Sequence, residues 1–159
     1  MISEPKSAIL KRIMPYCARA ERCTQDVIRK LTSWNVPEEE MGMIVEILMN
    51  EKFLDDVRYA NSFAGDKWKL DQWGRDKISN GLFQKGISEV LVQNALDTID
   101  MDQYISGMEI VLSKKRDTIR KETLISQMKK ILSFGVSRGF EEEFIWKWLE
   151  KEGLSFDRA

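Results

Sequence analysis

The chain has 159 residues, 43% of them hydrophobic, and a formal net charge of −1. This length and apolar content suit one folded chain of ordinary size with a continuous core, and they exclude a disordered or fibrous protein. There is no histidine, the commonest proton shuttle and metal ligand, and no glycine-rich phosphate loop or nucleophile elbow, so neither an enzyme nor a cofactor or metal site is expected.

The predicted elements are all helices, and the first spans residues 9–23, where apolar side chains recur three or four apart. Residues 27–34 continue with one apolar stripe at helical period. This second helix should end at Asn35, because asparagine and glycine adopt the left-handed conformation with the least strain. A third helix should begin after Pro37, where three successive glutamates suit the positive end of the helix dipole.

The same order of helix, stop and helix is found three times. The copies share one frame, and they end at Val36, Ile87 and Val136. These positions are 51 and 49 residues apart. The equivalent core positions are Leu31, Leu82 and Ile131, and the equivalent stops are Asn35, Gly86 and Gly135. A period near fifty residues indicates a tandem array, in which one helical unit stacks on the next because none buries its apolar face alone.

Each later unit also has a helix before this pair, at residues 57–68 and 104–112. No stretch alternates apolar and polar residues over the length of a strand. The predicted fold is therefore all-α, an elongated, curved right-handed helical array of tandem three-helix repeats. The three repeats are expected at residues 1–50, 51–100 and 101–159.

The cysteine and hydropathy patterns indicate a cytoplasmic protein. Cys17 and Cys23 are six residues apart on a predicted helix and face different directions, so they should form neither a disulfide nor a chelating pair. No run of about eighteen apolar residues and no secretion signal is present, so no membrane contact is expected. A monomer is expected, and residues 155–159, which lack an apolar period, should be mobile.

The near-zero net charge conceals an alternating distribution. Residues 11–30 carry six basic and two acidic side chains, and residues 37–58 carry two and seven. The alternation continues to residues 110–136, which carry seven and two. Because equivalent helices of a stacked array lie on the same side, the pattern predicts one basic and one acidic flank. Helix capping alone would also produce part of it, since carboxylates favour helix N-termini and lysines favour C-termini.

The middle unit contains the most specific local sequence. Residues 54–63 read LDDVRYANSF, an apolar residue and two acids followed by Arg58, Tyr59 and Ala60. Residues 73–87 read WGRDKISNGLFQKGI, with a glycine, a basic stretch and a Lys-Gly-Ile ending. Both segments resemble the RecX family of recombination regulators. That family is likewise built of three tandem three-helix units, and the resemblance extends over nearly the whole chain.

Two features of the middle unit also have a structural interpretation. Asp55 and Asp56 suit the N-cap and first turn of a helix, and they lack the companions that a metal or acid–base site would need. Trp68 and Trp73 lie among basic residues, as on a base-stacking surface, but large aromatic residues also dominate packing between helical units.

The resemblance implies a non-enzymatic protein that binds the filament of the RecA recombinase and inhibits filament extension, ATP hydrolysis and strand exchange. Single-stranded DNA is a second candidate partner. The candidate contacts for partner or nucleic acid are basic residues of the second and third units: Arg58, Lys67, Lys69, Arg75, Lys77, Lys85, Lys114, Lys115, Arg116, Arg120, Lys121, Lys129 and Lys130. The alternative is a helical-repeat scaffold that binds a partner peptide in its concave face, without nucleic acid.

Overall fold

The computed structural model describes residues 5–156. The mobility predicted for residues 155–159 therefore concerns mainly residues 157–159, which lie outside the described range. Nine α-helices and no strand occur in this range. Repeat 1 contains α1 (Lys6–Arg19), α2 (Thr24–Ser33) and α3 (Glu38–Asn50). Repeat 2 contains α4 (Asp56–Lys69), α5 (Arg75–Gln84) and α6 (Glu89–Asp97). Repeat 3 contains α7 (Met101–Thr118), α8 (Leu124–Ser137) and α9 (Glu142–Lys151). The prediction of an all-α fold made of three tandem three-helix repeats is confirmed.

Local chemistry sets the helix ends of the first two repeats as the sequence predicts. Asn35 has a φ of 58° and Gly86 a φ of 74°, so both occupy the left-handed region immediately after a helix. Asp55 caps α4, because its carboxylate accepts hydrogen bonds from the backbone N–H groups of Val57 and Arg58, at 2.9 and 3.1 Å. The structural role predicted for Asp55 is therefore confirmed.

The predicted stop of repeat 3 is wrong by four residues. Gly135 lies inside α8, and the left-handed residue is Gly139, with a φ of 94°. Phe140 therefore takes the place assigned to Val136, and its backbone N–H donates to the carbonyl oxygen of Gly135. Four residues are about one helical turn, so the apolar stripe of α8 keeps its face when the frame slips by that amount. Val136 is 49% exposed, whereas Ile131 is fully buried as predicted.

Close packing, against a side chain at Gly135 and against backbone at Gly74, explains two glycines around this corner. A Cβ on Gly135 would lie 2.6 Å from Ile145 Cδ1, which α9 packs against α8. A Cβ on Gly74 would lie 2.1 Å from the carbonyl carbon of Gly139, because the α8–α9 corner crosses the start of α5. The Gly74 N–H donates to the Arg138 carbonyl oxygen at 2.7 Å. The glycine of the middle-unit motif thus permits direct backbone contact between repeats 2 and 3.

The apolar core is divided into two clusters rather than being continuous. Repeat 1, together with Leu54 from the start of repeat 2, encloses one cluster, in which Leu31 is fully buried. Repeats 2 and 3 share the other, which includes Leu82 and Phe140. Cys23, at the start of α2, contributes to the second cluster from repeat 1. Apolar packing therefore joins repeats 2 and 3 extensively, whereas the contact between repeats 1 and 2 depends strongly on polar groups.

Candidate partner-binding surfaces

Two predicted contact residues form ion pairs across the boundary between repeats 1 and 2. Lys85 Nζ lies 2.9 Å from Asp26 Oδ1, and Arg58 Nε lies 2.7 Å from Glu21 Oε1. On the same boundary, the Asp56 carboxylate accepts hydrogen bonds from the backbone N–H and the hydroxyl of Thr24, at 2.8 and 2.9 Å. Asp56 therefore supports the N-terminus of α2 in the neighbouring repeat, and Arg58 and Lys85 act within the molecule.

The boundary also affects the ionisation of one partly buried group, Asp26, and one buried group, Cys23. Burial opposes ionisation of Asp26, but hydrogen bonds from Lys85 and the backbone N–H of Cys23 hold the pKa of Asp26 below its ordinary value. Burial raises the pKa of the Cys23 thiol to about 11, so this thiol stays protonated near neutral pH. Cys17 and Cys23 are both free and buried.

Arg75 performs a comparable structural role between repeats 2 and 3. Its side-chain Nη1 lies 3.1 Å from Glu141 Oε2, and its backbone N–H donates to the Tyr104 hydroxyl at 2.9 Å. That hydroxyl in turn donates to Glu141 Oε1. Burial, together with the Glu141 carboxylate, holds the pKa of Tyr104 far above its ordinary value. Arg75 is therefore part of a partly buried network rather than an exposed contact.

The two tryptophans near the motif have different roles. Trp68 packs between repeats, with its ring centroid 5.0 Å from that of Tyr104, so the packing interpretation is correct for this residue. Trp73 is partly buried and packs edge-on against Phe63 of the same repeat, with ring centroids 6.1 Å apart, and Lys67 Nζ and Lys77 Nζ lie 4.6 and 4.5 Å from its own ring centroid. Both ammonium groups therefore make cation–π contacts with the Trp73 ring.

The basic residues of repeat 3 divide into paired and unpaired side chains. Pairs join Arg116 to Glu152 at 3.2 Å, Arg120 to Asp117 at 2.8 Å and Lys130 to Glu122 at 2.6 Å. Lys115 Nζ lies 5.4 Å from the Phe134 ring centroid. Within the described part of the chain, the candidate residues that are exposed and have no ion pair or ring contact are Lys69, Lys114, Lys121 and Lys129.

A basic and aromatic cluster in repeat 1 is absent from the predicted contacts. The Arg22 guanidinium lies 4.0 Å from the Tyr16 ring centroid, and the Arg12 guanidinium lies 4.1 Å from that of Trp34. Lys30 Nζ lies 5.4 and 5.8 Å from the same two rings. The sequence contained a signal for this cluster, since residues 11–30 carry six basic side chains. That segment lies in repeat 1, whereas all the candidate contacts lie in the second and third repeats.

An apolar cleft of about 320 Å³ lies between α7 and α9. Its apolar lining is Ile105, Met108, Phe144 and Trp148. Glu109, Lys147 and Lys151 surround it, and Lys151 is paired with Glu109 at 3.2 Å. The cleft is thus an apolar surface with a charged rim at the end of the array.

In the part of the chain that the structure describes, no helix is long and apolar enough to cross a membrane. Over residues 5–156, no three cysteine, aspartate or glutamate side chains are grouped so that they could hold a metal ion.

Comparison with known proteins finds relatives that carry the name RecX. The family model for the second three-helix domain of RecX matches residues 55–96. A regulatory protein RecX of Clostridium botulinum (strain Eklund 17B) is 31% identical over 130 residues, covering 80% of this chain and 60% of that protein. The regulatory protein RecX of Finegoldia magna is 30% identical over 139 residues, covering 87% and 62%. The chain thus spans about 60% of the length of these curated relatives.

Solved structures share the fold. The crystal structure of RecX from Lactobacillus salivarius superposes with a TM-score of 0.86 at 19% identity, covering 94% of this chain and 97% of that one. A second crystal structure, of a regulatory protein RecX, gives a TM-score of 0.84 at 22% identity and covers 92% and 73%. At these identities the likeness establishes the common three-repeat architecture.

Proposed function

This chain belongs to the RecX family, and on that premise we propose that it is a non-enzymatic regulator of the RecA recombinase. In this proposal it binds the RecA–DNA filament in the cytoplasm as a monomer and inhibits filament extension, ATP hydrolysis and strand exchange. The observation that supports the proposal most is the match of residues 55–96 to the RecX family model, because this segment contains the motif and the Gly74 contact between repeats.

Internal ion pairs reduce the set of side chains that we propose to contact the filament. Arg58, Arg75, Lys85 and Arg116 are engaged in internal ion pairs, so their loss would first disturb the packing of the repeats. Of the candidate residues named from the sequence, the exposed ones with neither an ion pair nor a ring contact in the described structure are Lys69, Lys114, Lys121 and Lys129. Exposed cations act mainly through screened attraction to a negative surface, so these four are the proposed contacts.

Repeat boundaries at residues 1–50, 51–100 and 101–159 remain the proposed limits of the three units. Single-stranded DNA is the second proposed partner, reached from the same exposed lysines. In the described structure the Trp73 ring is not free to stack on a DNA base, because the ammonium groups of Lys67 and Lys77 already contact it. Contact with DNA would therefore depend on charge more than on base stacking.

The alternative is a scaffold that binds a partner peptide without nucleic acid. The cleft between α7 and α9 favours it, since an apolar patch with a charged rim suits the apolar side of an amphipathic segment. Substitution of Phe144 by Ser would remove part of this patch. The scaffold function predicts loss of peptide binding in that variant, whereas the RecA function predicts unchanged filament binding.

The proposal is tested by measuring RecA-dependent ATP hydrolysis on single-stranded DNA. The purified protein, added below the RecA concentration, is expected to slow hydrolysis, because one molecule bound to a filament affects many subunits. The protein alone should hydrolyse no ATP and cleave no DNA. If an equimolar amount of the protein leaves the rate of ATP hydrolysis by RecA unchanged and the protein does not bind the filament, the RecA function is contradicted and the scaffold function remains.

A further inference from the structure

An open cleft of about 480 Å³ lies at the boundary between repeats 1 and 2. Arg22, Arg29 and Lys30 line it from repeat 1, and Lys85 lines it from repeat 2. Tyr16 and Tyr59 form aromatic parts of the wall. The two lining carboxylates, Glu21 and Asp26, are each already paired, with Arg58 and Lys85.

The charge of this cleft is therefore not balanced by the protein. Within the described residues, Arg22, Arg29 and Lys30 have no carboxylate partner. Four cations and two carboxylates line the cleft, and both carboxylates are already neutralised by their own partners. Cations that converge on a concave surface without counter-ions raise the local potential and attract anions.

Arg22 is held in place before any ligand arrives. Its Nε donates to the Tyr16 carbonyl oxygen at 3.1 Å, and its guanidinium stacks over the Tyr16 ring at 4.0 Å from the centroid. These contacts fix the planar group while its two terminal nitrogens have no hydrogen-bond partner in the described structure. A fixed guanidinium loses little conformational entropy when it binds a phosphate oxygen, and its geometry suits bidentate contact.

We propose that this cleft is a binding site for a polyphosphate group, carried either by inorganic tripolyphosphate or by a nucleoside triphosphate. Arg22, Arg29 and Lys30 would contact the phosphate oxygens. A volume of about 480 Å³ lies within the usual range for a small-ligand site and accommodates a ligand larger than one phosphate. This site is separate from the exposed lysines proposed to meet the filament, and its existence does not depend on the RecA function.

The position of the cleft gives the ligand a structural consequence. Lys85 lies on repeat 2 and the other three cations lie on repeat 1. A polyphosphate bound to the three unpaired cations of repeat 1 would lie against Tyr59 and Lys85 of repeat 2, which line the same cleft. Ligand that binds only the folded boundary stabilises it by mass action. The ligand should therefore raise the unfolding temperature of the whole chain as well as bind.

The test is isothermal titration calorimetry of the full chain with inorganic tripolyphosphate, repeated with ATP. Sodium chloride at matched ionic strength serves as the salt control. Binding of both ligands with equal affinity supports recognition of the phosphates alone, and tighter binding of ATP supports an additional contact of the base with the aromatic wall. No binding of either ligand, or heats that the chloride control reproduces, would overturn the proposal.

Variants make the assignment specific. Lys30→Gln should weaken tripolyphosphate binding by about tenfold, as expected for loss of one charge-assisted hydrogen bond. Arg22→Gln should weaken it further, and Arg29→Gln serves in its place if the Arg22 variant is poorly folded. Lys11→Gln removes the same charge from an exposed lysine of α1 that does not line the cleft, and this variant should bind as wild type. An equal loss of affinity in Lys30→Gln and Lys11→Gln would show that only net charge matters and would overturn the site.

Discussion

Lys85 and Asp26 are 59 residues apart in the chain, yet Lys85 Nζ and Asp26 Oδ1 lie 2.9 Å apart at the boundary between repeats 1 and 2. The Asp26 side chain is 12% exposed and the Lys85 side chain 35%. Removing one partner of such a pair leaves the other poorly compensated, so the pair is important to the boundary even if its net contribution to stability is small.

Asp26→Asn should lower the free energy of unfolding by about 1–3 kcal/mol, because the charge-assisted bond to Lys85 is lost. Denaturant unfolding measures this loss. Asp66→Asn is the matched control, since Asp66 is exposed on α4 and no side-chain bond is formed by it in the described structure. Equal stability of the Asp26 and Asp66 variants would show that the ion pair is not needed at this boundary.

The pKa of Asp26 predicts how acid affects the boundary. Since this pKa lies below its ordinary value in the folded protein, the ionised carboxylate contributes stability above the unfolded pKa, and that stability is lost as the pH falls through the folded pKa. Wild type should therefore lose stability below about pH 4 more steeply than Asp26→Asn. Parallel pH profiles of unfolding free energy for the two proteins would contradict this assignment.

Four glycine-to-alanine variants should rank in a fixed order. Gly139→Ala should be the most destabilising, because its φ is 94° and a Cβ would lie 2.3 Å from Lys77 Cβ. Gly135→Ala should cost about 1–3 kcal/mol by overpacking against Ile145. Gly86→Ala should cost about 1 kcal/mol, from positive φ alone.

Gly42 provides the matched control for this series. It lies in α3, and a Cβ there would meet no atom within 4 Å. Gly42→Ala should stabilise the protein by about 0.5–1 kcal/mol, because it removes the entropic cost of glycine in a helix. Thermal unfolding of all four variants measures the order. A Gly135→Ala protein as stable as wild type would mean that α8 and α9 do not approach as closely as described.

Leu82→Ala should cost about 2–5 kcal/mol, because Leu82 is fully buried in the core shared by repeats 2 and 3. Phe83→Ala on the same helix is the control, since Phe83 is 47% exposed and should lose far less. Denaturant midpoints distinguish the two. Similar losses for both variants would place the core face of α5 elsewhere.

Much of the fold could be predicted because its signals are local. Asn35, Gly86 and Asp55 act on residues within one helical turn, so their roles follow from sequence. The stop at Gly139 does not follow from the local pattern, because Gly135 continues the same apolar face one turn earlier. The two glycines differ in their tertiary contacts: Gly139 approaches Lys77 and Gly74, and Gly135 approaches Ile145. Tertiary contact, which the local pattern does not encode, determined this helix end.

The candidate surface was less predictable for the same reason. The sequence shows that Arg75 and Lys85 are basic, but their carboxylate partners lie 66 and 59 residues away. A long-range pair converts an apparent contact residue into a structural one. The cluster around Arg22 and Tyr16 is the reverse case, because both residues lie outside the family motif of repeat 2 and yet form a basic and aromatic contact that lines an open cleft.

The most direct test of the central claim is binding of the protein to RecA filaments on fluorescently labelled single-stranded DNA at low salt. Lys114→Glu/Lys121→Glu should weaken binding by about tenfold or more while leaving folding intact, because both side chains are exposed and unpaired. Lys11→Glu/Arg19→Glu on α1 changes the net charge equally and should bind nearly as wild type. The account predicts that wild type binds the filament tightly, that added salt weakens this binding, and that the Lys114→Glu/Lys121→Glu variant loses it. No binding by wild type, or an equal loss of binding in both double variants, would contradict the account.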